Sequence, residues 1–199
     1  MKKYSFIAYI GIAALMLPSC IKEDVKTYTG ATVVEFDAAA VNATTAGTTY
    51  PILTRIPTAT RPLTTADSTL RRLNNKTIQI RINLVGPQSG KDETVGYNVF
   101  TTSPVPTVAF PATISGQTPS RTAGTLTYAD AVSGTHYSIA STGTITIPAN
   151  SSFGYIDVTI IHSAATAGQA RFLGLELNDL GSVKPSPNYK TVGLAIDQR

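Results

Sequence analysis

The sequence predicts an all-β fold, an immunoglobulin-like β-sandwich, on three observations. Short segments alternate apolar and polar residues at the strand period of two. Proline and glycine punctuate the intervals between them. No segment beyond the first twenty residues keeps a helical period. Regular short strands of this kind suit two stacked sheets, each burying its inner face against the other.

The candidate strands follow in order. Thr32-Val33-Val34-Glu35-Phe36 is the first, and Tyr50-Pro51-Ile52-Leu53-Thr54 a weaker second. Thr77 to Leu84 is the clearest. Ile78, Ile80, Ile82 and Leu84 share one face, while Thr77, Gln79, Arg81 and Asn83 share the other. Gly124 to Tyr128 and Thr144 to Ile147 are short β-type runs. Tyr155 to Ile161 puts Ile156, Val158 and Ile160 on one side. Arg171 to Leu177 directs Leu173, Leu175 and Leu177 inward, and Tyr189 to Ile196 directs Val192, Leu194 and Ile196 inward. The stretch from Val85 to Ala123 is the least regular, with Gly86, Gly90, Gly96, Gly116 and several prolines. Long irregular stretches are functional or merely cover an edge, so this is where a binding surface is sought first.

The N terminus predicts an address. Lys2 and Lys3 precede the uncharged, largely aliphatic run Phe6 to Leu17, which is shorter than the ~20 residues that a spanning helix needs. Ser19 then precedes Cys20, the only cysteine of the chain. This arrangement reads as a lipoprotein signal peptide over residues 1–19, cut before a lipidated Cys20. A plain secretory signal or a short uncut anchor are the alternatives. Residues 20–30 read as lipidated cysteine and tether, and 31–199 as the sandwich, with a possible subdivision near 104–111 into two small β domains. With Cys20 acylated (palmitate being a typical chain), no thiol remains for a disulfide, thiol catalysis or a cysteine metal site.

Composition excludes other classes. The chain has 199 residues, 14% of them charged, with 16 Lys+Arg against 12 Asp+Glu. Two of the basic residues lie in the signal, so the remainder carries a formal +2. Arg71-Arg72 is the only adjacent basic pair after the signal, which gives no case for nucleic acid. His136 and His162 are the only histidines, too few for a structural zinc site without cysteine. His136 is expected to hydrogen-bond within its turn and His162 to end a strand at a polar edge. No cofactor is expected. The acids are scattered. The adjacent Asp92-Glu93 pair reads as a solvated turn and not as the facing carboxylates of a glycosidase. No Gly-x-Ser-x-Gly elbow is present. Asp67-Ser68-Thr69 resembles a short O-glycosylation acceptor of exported Bacteroidetes proteins, or is an ordinary turn. An enzyme is therefore not expected, and no catalytic or metal-binding residue is named.

Two resemblances add to this reading. Cys20-Ile21-Lys22-Glu23-Asp24 resembles the signal that sends Bacteroidetes-type lipoproteins to the outer face of the outer membrane, with Lys22, Glu23 and Asp24 as its charged part. Ala131-Val132-Ser133-Gly134-Thr135-His136-Tyr137-Ser138-Ile139 is followed by Ile145-Thr146-Ile147-Pro148-Ala149-Asn150-Ser151-Ser152 and then by the strand from Tyr155. With Leu173 to Leu180 and Ser186 to Lys190, this order resembles Bacteroidetes surface lipoproteins found beside SusC/SusD-type glycan-uptake systems. The resemblance implies an immunoglobulin-like sandwich on the cell surface without enzyme activity. The same segment is similar to the Calx-beta module, whose acidic loop ends hold calcium. Here His136 stands in place of the acid before Tyr137, so the resemblance implies the scaffold without its calcium site.

The expected function is a non-catalytic, lipid-anchored protein of the outer membrane, facing the exterior and accessory to polysaccharide binding or uptake. Its expected partners are the membrane, a polysaccharide and a SusC/SusD-like transporter. The alternative is a structural or adhesive, fimbria-like subunit assembling by strand addition. Sugars stack their apolar faces on aromatic rings and offer their hydroxyls to polar neighbours. Trp is absent. Tyr97, Phe100, Tyr128, Tyr137, Phe153, Tyr155 and Tyr189 remain, and Tyr97 with Phe100, in the irregular stretch, is the suggestive pair. Tyr137 and Tyr189 adjoin turns and read as structural. The competing role for all these rings is to pack the core.

Overall fold

The structure, a computed structural model, describes residues 28–37, 48–55, 70–71, 76–112, 121–141, 143–162 and 169–199. It is all-β, with strands numbered here in chain order. One sheet runs β11 (Lys184–Pro185), β1 (Val33–Phe36), β3 (Lys76–Val85), β9 (Phe153–Ile160), β7 (Tyr137–Ile139). The other runs β2 (Ile52–Leu53), β12 (Thr191–Asp197), β10 (Gln169–Asn178), β4 (Glu93–Phe100), β8 (Thr144–Ile147). From this second sheet β6 (Gly124–Asp130) and β5 (Thr107–Phe110) branch off. Along one edge of β10, β4 pairs with Gly174–Asn178 and β6 with Gln169–Phe172, so two strands share that edge. The segment 104–111 contains β5 itself, whose partner β6 joins the same sheet.

Alternation explains where the core sits. Ile78, Ile80, Ile82 and Leu84 of β3 are buried, as are Ile156, Val158 and Ile160 of β9. They face Leu173, Leu175 and Leu177 of β10 and Val192, Leu194 and Ile196 of β12 in one cluster between the sheets. Burying both inner faces against each other is what holds the two sheets together.

A second cluster covers the opposite face of the seven-stranded sheet. Successive residues of a strand point to opposite faces, so Ala170 and Phe172 of β10 and Ala195 of β12 project away from the first cluster. They pack with Ile52, Val108, Phe110 and Leu126. A single apolar face per strand is the sequence expectation, and β10 and β12 depart from it because both of their faces are covered. Gly174 and Gly193, opposite each other across β10 and β12, form the floor of this cluster. A Cβ on Gly174 would lie 2.2 Å from the Phe100 ring, and one on Gly193 would lie 2.8 Å from the Phe172 ring. The absent side chains let two rings lie flat on the backbone. Phe100 and Phe172 stand 5.8 Å apart, and Tyr128 meets Phe172 edge-on at 5.5 Å.

The chain's end is tied down by charge. Asp197 is 1% exposed. Its carboxylate accepts from Arg199 Nε at 3.1 Å and from Arg199 Nη2 at 3.0 Å, and Arg121 Nη1 lies 3.9 Å away. Its backbone N–H donates to the carbonyl of Leu70, which brings Arg71 beside β12.

Three strands correct the sequence reading. β4 and β5 lie inside the stretch expected to be irregular, and β11 is a two-residue strand in a segment with no strand expected. β4 hid because Gly96 and Asn98 break its β-type composition, although Val95 and Tyr97 keep its inner face. β5 is flanked by Pro106 and Pro111, which an edge strand tolerates and a central one does not.

Candidate functional site

The outer face of the five-stranded sheet is built by the residues that β3 and β9 turn away from the core. Their antiparallel register sets Asn83 opposite Phe153, Arg81 opposite Tyr155, Gln79 opposite Asp157 and Thr77 opposite Thr159. Phe153 and Tyr155 are two residues apart on β9, so both rings emerge on this face. They are 36% and 39% exposed, their centroids 5.6 Å apart in an edge-on arrangement. β1 adds Glu35, opposite Asn83 in the next row.

The polar groups of this face are fixed by one another. The Arg81 guanidinium lies 4.3 Å from the centroid of the Phe153 ring, a cation–π contact. Its Nε donates to Asn83 Oδ1 at 2.8 Å, and Asp37 Oδ2 is 3.9 Å away. Gln79 Nε2 donates to Asp157 Oδ1 at 3.1 Å. The hydroxyls of Thr77 and Thr159 are 2.8 Å apart. Two half-open rings thus stand beside a held row of donors and acceptors. Such a surface can cover the apolar face of a flat polar ligand while exchanging hydrogen bonds with its edge.

The residues singled out from sequence fall elsewhere. Tyr97 is 1% exposed, its ring inside the first cluster and its hydroxyl donating to the carbonyl of Ser141. Phe100 is half-buried between Tyr50 and Phe172. The structure places this pair on β4, not in a loop, and packing encloses both rings. Tyr137 is buried in the first cluster and Tyr189 packs against it, as expected of structural rings. Cys20, Lys22, Glu23, Asp24 and the Asp67-Ser68-Thr69 motif lie outside the described residues.

Asp92 is exposed ahead of β4, as expected of a solvated turn, but Glu93 is not. Asp92 Oδ1 accepts the N–H of Ala149 at 2.9 Å. Glu93 opens β4 and is 9% exposed. Ser89 Oγ donates to its Oε1 at 2.7 Å, and Ser182 Oγ donates to its Oε2. These hydroxyls, Ser182 first and Ser89 second, hold the Glu93 carboxyl below its ordinary range. Loop residues from two distant parts of the chain therefore meet on one carboxylate. His136 Nδ1 accepts the N–H of Val132 at 2.9 Å, within its own turn. Burial, then the positive charge of Arg171, push the imidazole below its ordinary value. His162 follows the end of β9. Among the described residues, no three His, Cys, Asp or Glu side chains come together as a metal site would require.

The paired rings of β9 are a functional candidate that sequence reasoning passed over. The signal was present in the alternation itself, since Phe153 and Tyr155 share the face opposite Ile156 and Val158.

No protein-family model and no curated protein sequence matches the chain. Among solved structures, the apo-form CBD1 domain of Calx is similar over 64% of this chain and 87% of its own, at 14% identity and a TM-score of 0.38. A proposed carbohydrate-binding protein from Bacteroides ovatus ATCC 8483 is similar over 83% of this chain, at 12% identity and a TM-score of 0.44. The chain spans 37% of that longer protein.

Proposed function

We propose that this is a non-catalytic protein that binds polysaccharide through the outer face of its five-stranded sheet. The Phe153–Tyr155 pair, flanked by the fixed side chains of Arg81, Asn83, Gln79 and Asp157, carries the reading. The rings offer apolar area to sugar C–H faces, and the adjoining polar row matches sugar hydroxyls. In this reading Cys20 bears the lipid, and Lys22, Glu23 and Asp24 direct the anchor to the exterior of the outer membrane. The sandwich then presents its face to polysaccharide beside a SusC/SusD-like transporter. The sequence of residues 2–24 supports the anchoring half of the proposal. Strand addition, the adhesive alternative, finds only short edges among the described residues, where the terminal strands of the sheets run two residues in β11 and β2, three in β7 and four in β5 and β8.

The test is affinity electrophoresis of the protein against xylan, mannan, mixed-linkage glucan, pectin and chondroitin sulfate. Retention by at least one, weakened by Tyr155→Ala or Phe153→Ala, is expected. Each ring leaves about 70–80 Å² open if an aromatic side chain offers about 200 Å². Covering that area is worth about 2 kcal/mol, so losing one ring weakens retention about 20-fold. No retention by any polysaccharide, or retention indifferent to both rings, sinks the proposal. Antibody labelling of intact cells tests the address, and signal appearing only after permeabilisation refutes the outward orientation.

A further inference from the structure

A cleft of about 450 Å³, with mixed polar and apolar walls, opens at the end of the sandwich where β3 hands over to β4. Glu93, Lys91, Lys184, Ser89, Ser182 and Gln88 are among its lining residues, together with Thr32 and, among its apolar walls, Pro87. The size lies within the range of small-ligand sites. We infer that this cleft is a second saccharide subsite, continuous with the aromatic face, that takes a further unit of the same glycan chain. The inference rests on the reading of that face as glycan-binding.

Three observations carry it. The first is continuity. Gln88, in the cleft wall, donates from Nε2 to Ser152 Oγ at 2.8 Å, and Ser152 immediately precedes Phe153. Leu84, also in the wall, donates its N–H to the carbonyl of Ser152 at 2.8 Å and follows Asn83, the register partner of Phe153. Ser152, one residue from Phe153, is therefore hydrogen-bonded to two residues of the cleft wall.

The second is rigidity. Glu93 accepts Ser89 from the β3–β4 loop and Ser182 from the β10–β11 loop. Ser182 Oγ in turn accepts the N–H of Thr94 at 2.9 Å. The walls are held in place before any ligand arrives, which lowers the cost of binding.

The third is chemistry. The Glu93 carboxyl is held in its charged form, and each of its oxygens takes one serine hydroxyl. A carboxylate has about four lone-pair sites, so acceptor capacity remains for two neighbouring sugar hydroxyls. Thr32 and Gln88 supply further donors and acceptors, and Pro87 supplies an apolar wall for C–H groups.

The test measures binding of short and long oligosaccharides, cut from whichever polysaccharide the wild type retains best, to the full sandwich by calorimetry. The wild type should bind long oligosaccharides more tightly than short ones. Glu93→Gln should weaken the long ones about tenfold, the worth of roughly one charge-assisted hydrogen bond, and leave the short ones unchanged. Thr32→Val leaves the serine contacts of Glu93 in place and should weaken the long ones a few-fold, so a folding defect in the Glu93 variant does not decide the matter. Tyr155→Ala should weaken both lengths. Long-oligosaccharide affinity unchanged in both cleft variants, with Tyr155→Ala still damaging, overturns the subsite and leaves the face standing. Weakening by the cleft variants with Tyr155→Ala harmless overturns the face. A wild type that binds neither length overturns both.

Discussion

Asp197→Asn should cost this protein far more than any exposed carboxylate does. Asn keeps one oxygen for the Arg199 N–H, which Asp197 Oδ1 accepts at 2.9 Å, but the substitution removes the charge and the second oxygen, which accepts from Arg199 Nη2 at 3.0 Å. What it leaves behind is Arg199 and Arg121 around a site whose own side chain is 2% exposed. Arg71 stands close enough that burial and the charge of Arg121 push its guanidinium down, with Asp197 working against both. Breaking a fully buried pair costs about 3–5 kcal/mol. Arg199 and Arg121 keep 24% and 17% of their side-chain surface in water, which lowers the cost to about 2–3 kcal/mol, below that range. For a domain of this size the melting temperature should fall by about 5–10 °C. Asp157→Asn is the control, because that carboxylate accepts Gln79 on an exposed face, and it should change stability by less than about 0.5 kcal/mol. Urea denaturation followed by tyrosine fluorescence, with thermal melts alongside, measures both. An Asp197→Asn protein within about 0.5 kcal/mol of wild type, or no less stable than Asp157→Asn, refutes the argument from buried charge.

Two further predictions follow from single contacts. The Val132 N–H needs an unprotonated His136 Nδ1, and the imidazole titrates below its ordinary value of 6.5 in the folded state. The unfolded chain therefore takes up the proton first. His136 contributes no penalty above 6.5, and stability falls as the pH drops from there toward the lower folded value. The urea midpoint should decline between about pH 7 and pH 5. A His136→Asn protein with an undiminished decline would show that another group is responsible. At Gly181, a Cβ would sit 2.4 Å from the carbonyl oxygen of Thr94 and 2.9 Å from Gly96 N, both backbone atoms that cannot swing aside. Gly181→Ala should cost about 2 kcal/mol or more. Gly90→Ala, with nothing within 4 Å, should be neutral, and equal melting temperatures for the two variants would overturn the steric argument.

Much of the fold was legible because alternation is a local property. Ile78, Ile80, Ile82 and Leu84 declare an inner face whatever lies across from it, and so do Ile156, Val158 and Ile160. β4 was not legible, because Gly96 accommodates Asn178 and Leu180 from elsewhere in the chain, a reason invisible within Glu93–Phe100. The serine contacts of Glu93 were equally hidden, since Ser182 is 89 residues away in sequence.

The sequence by itself determined the all-β class, the inward faces of β3, β9, β10 and β12, and the expectation of a lipidated Cys20 behind an export signal. It also set Phe153 and Tyr155 on one face, since two residues apart on a strand can mean nothing else. Tertiary structure decided which aromatic residues stay open. Tyr97 points between the sheets, and Phe100 lies over Gly174 in a second cluster that closes the far face of β10 and β12. Among the described residues β9 has no such cover on its outer side, and its two rings remain half open there. Alternation tells which residues share a face, but whether that face is covered depends on strands that arrive from distant parts of the chain.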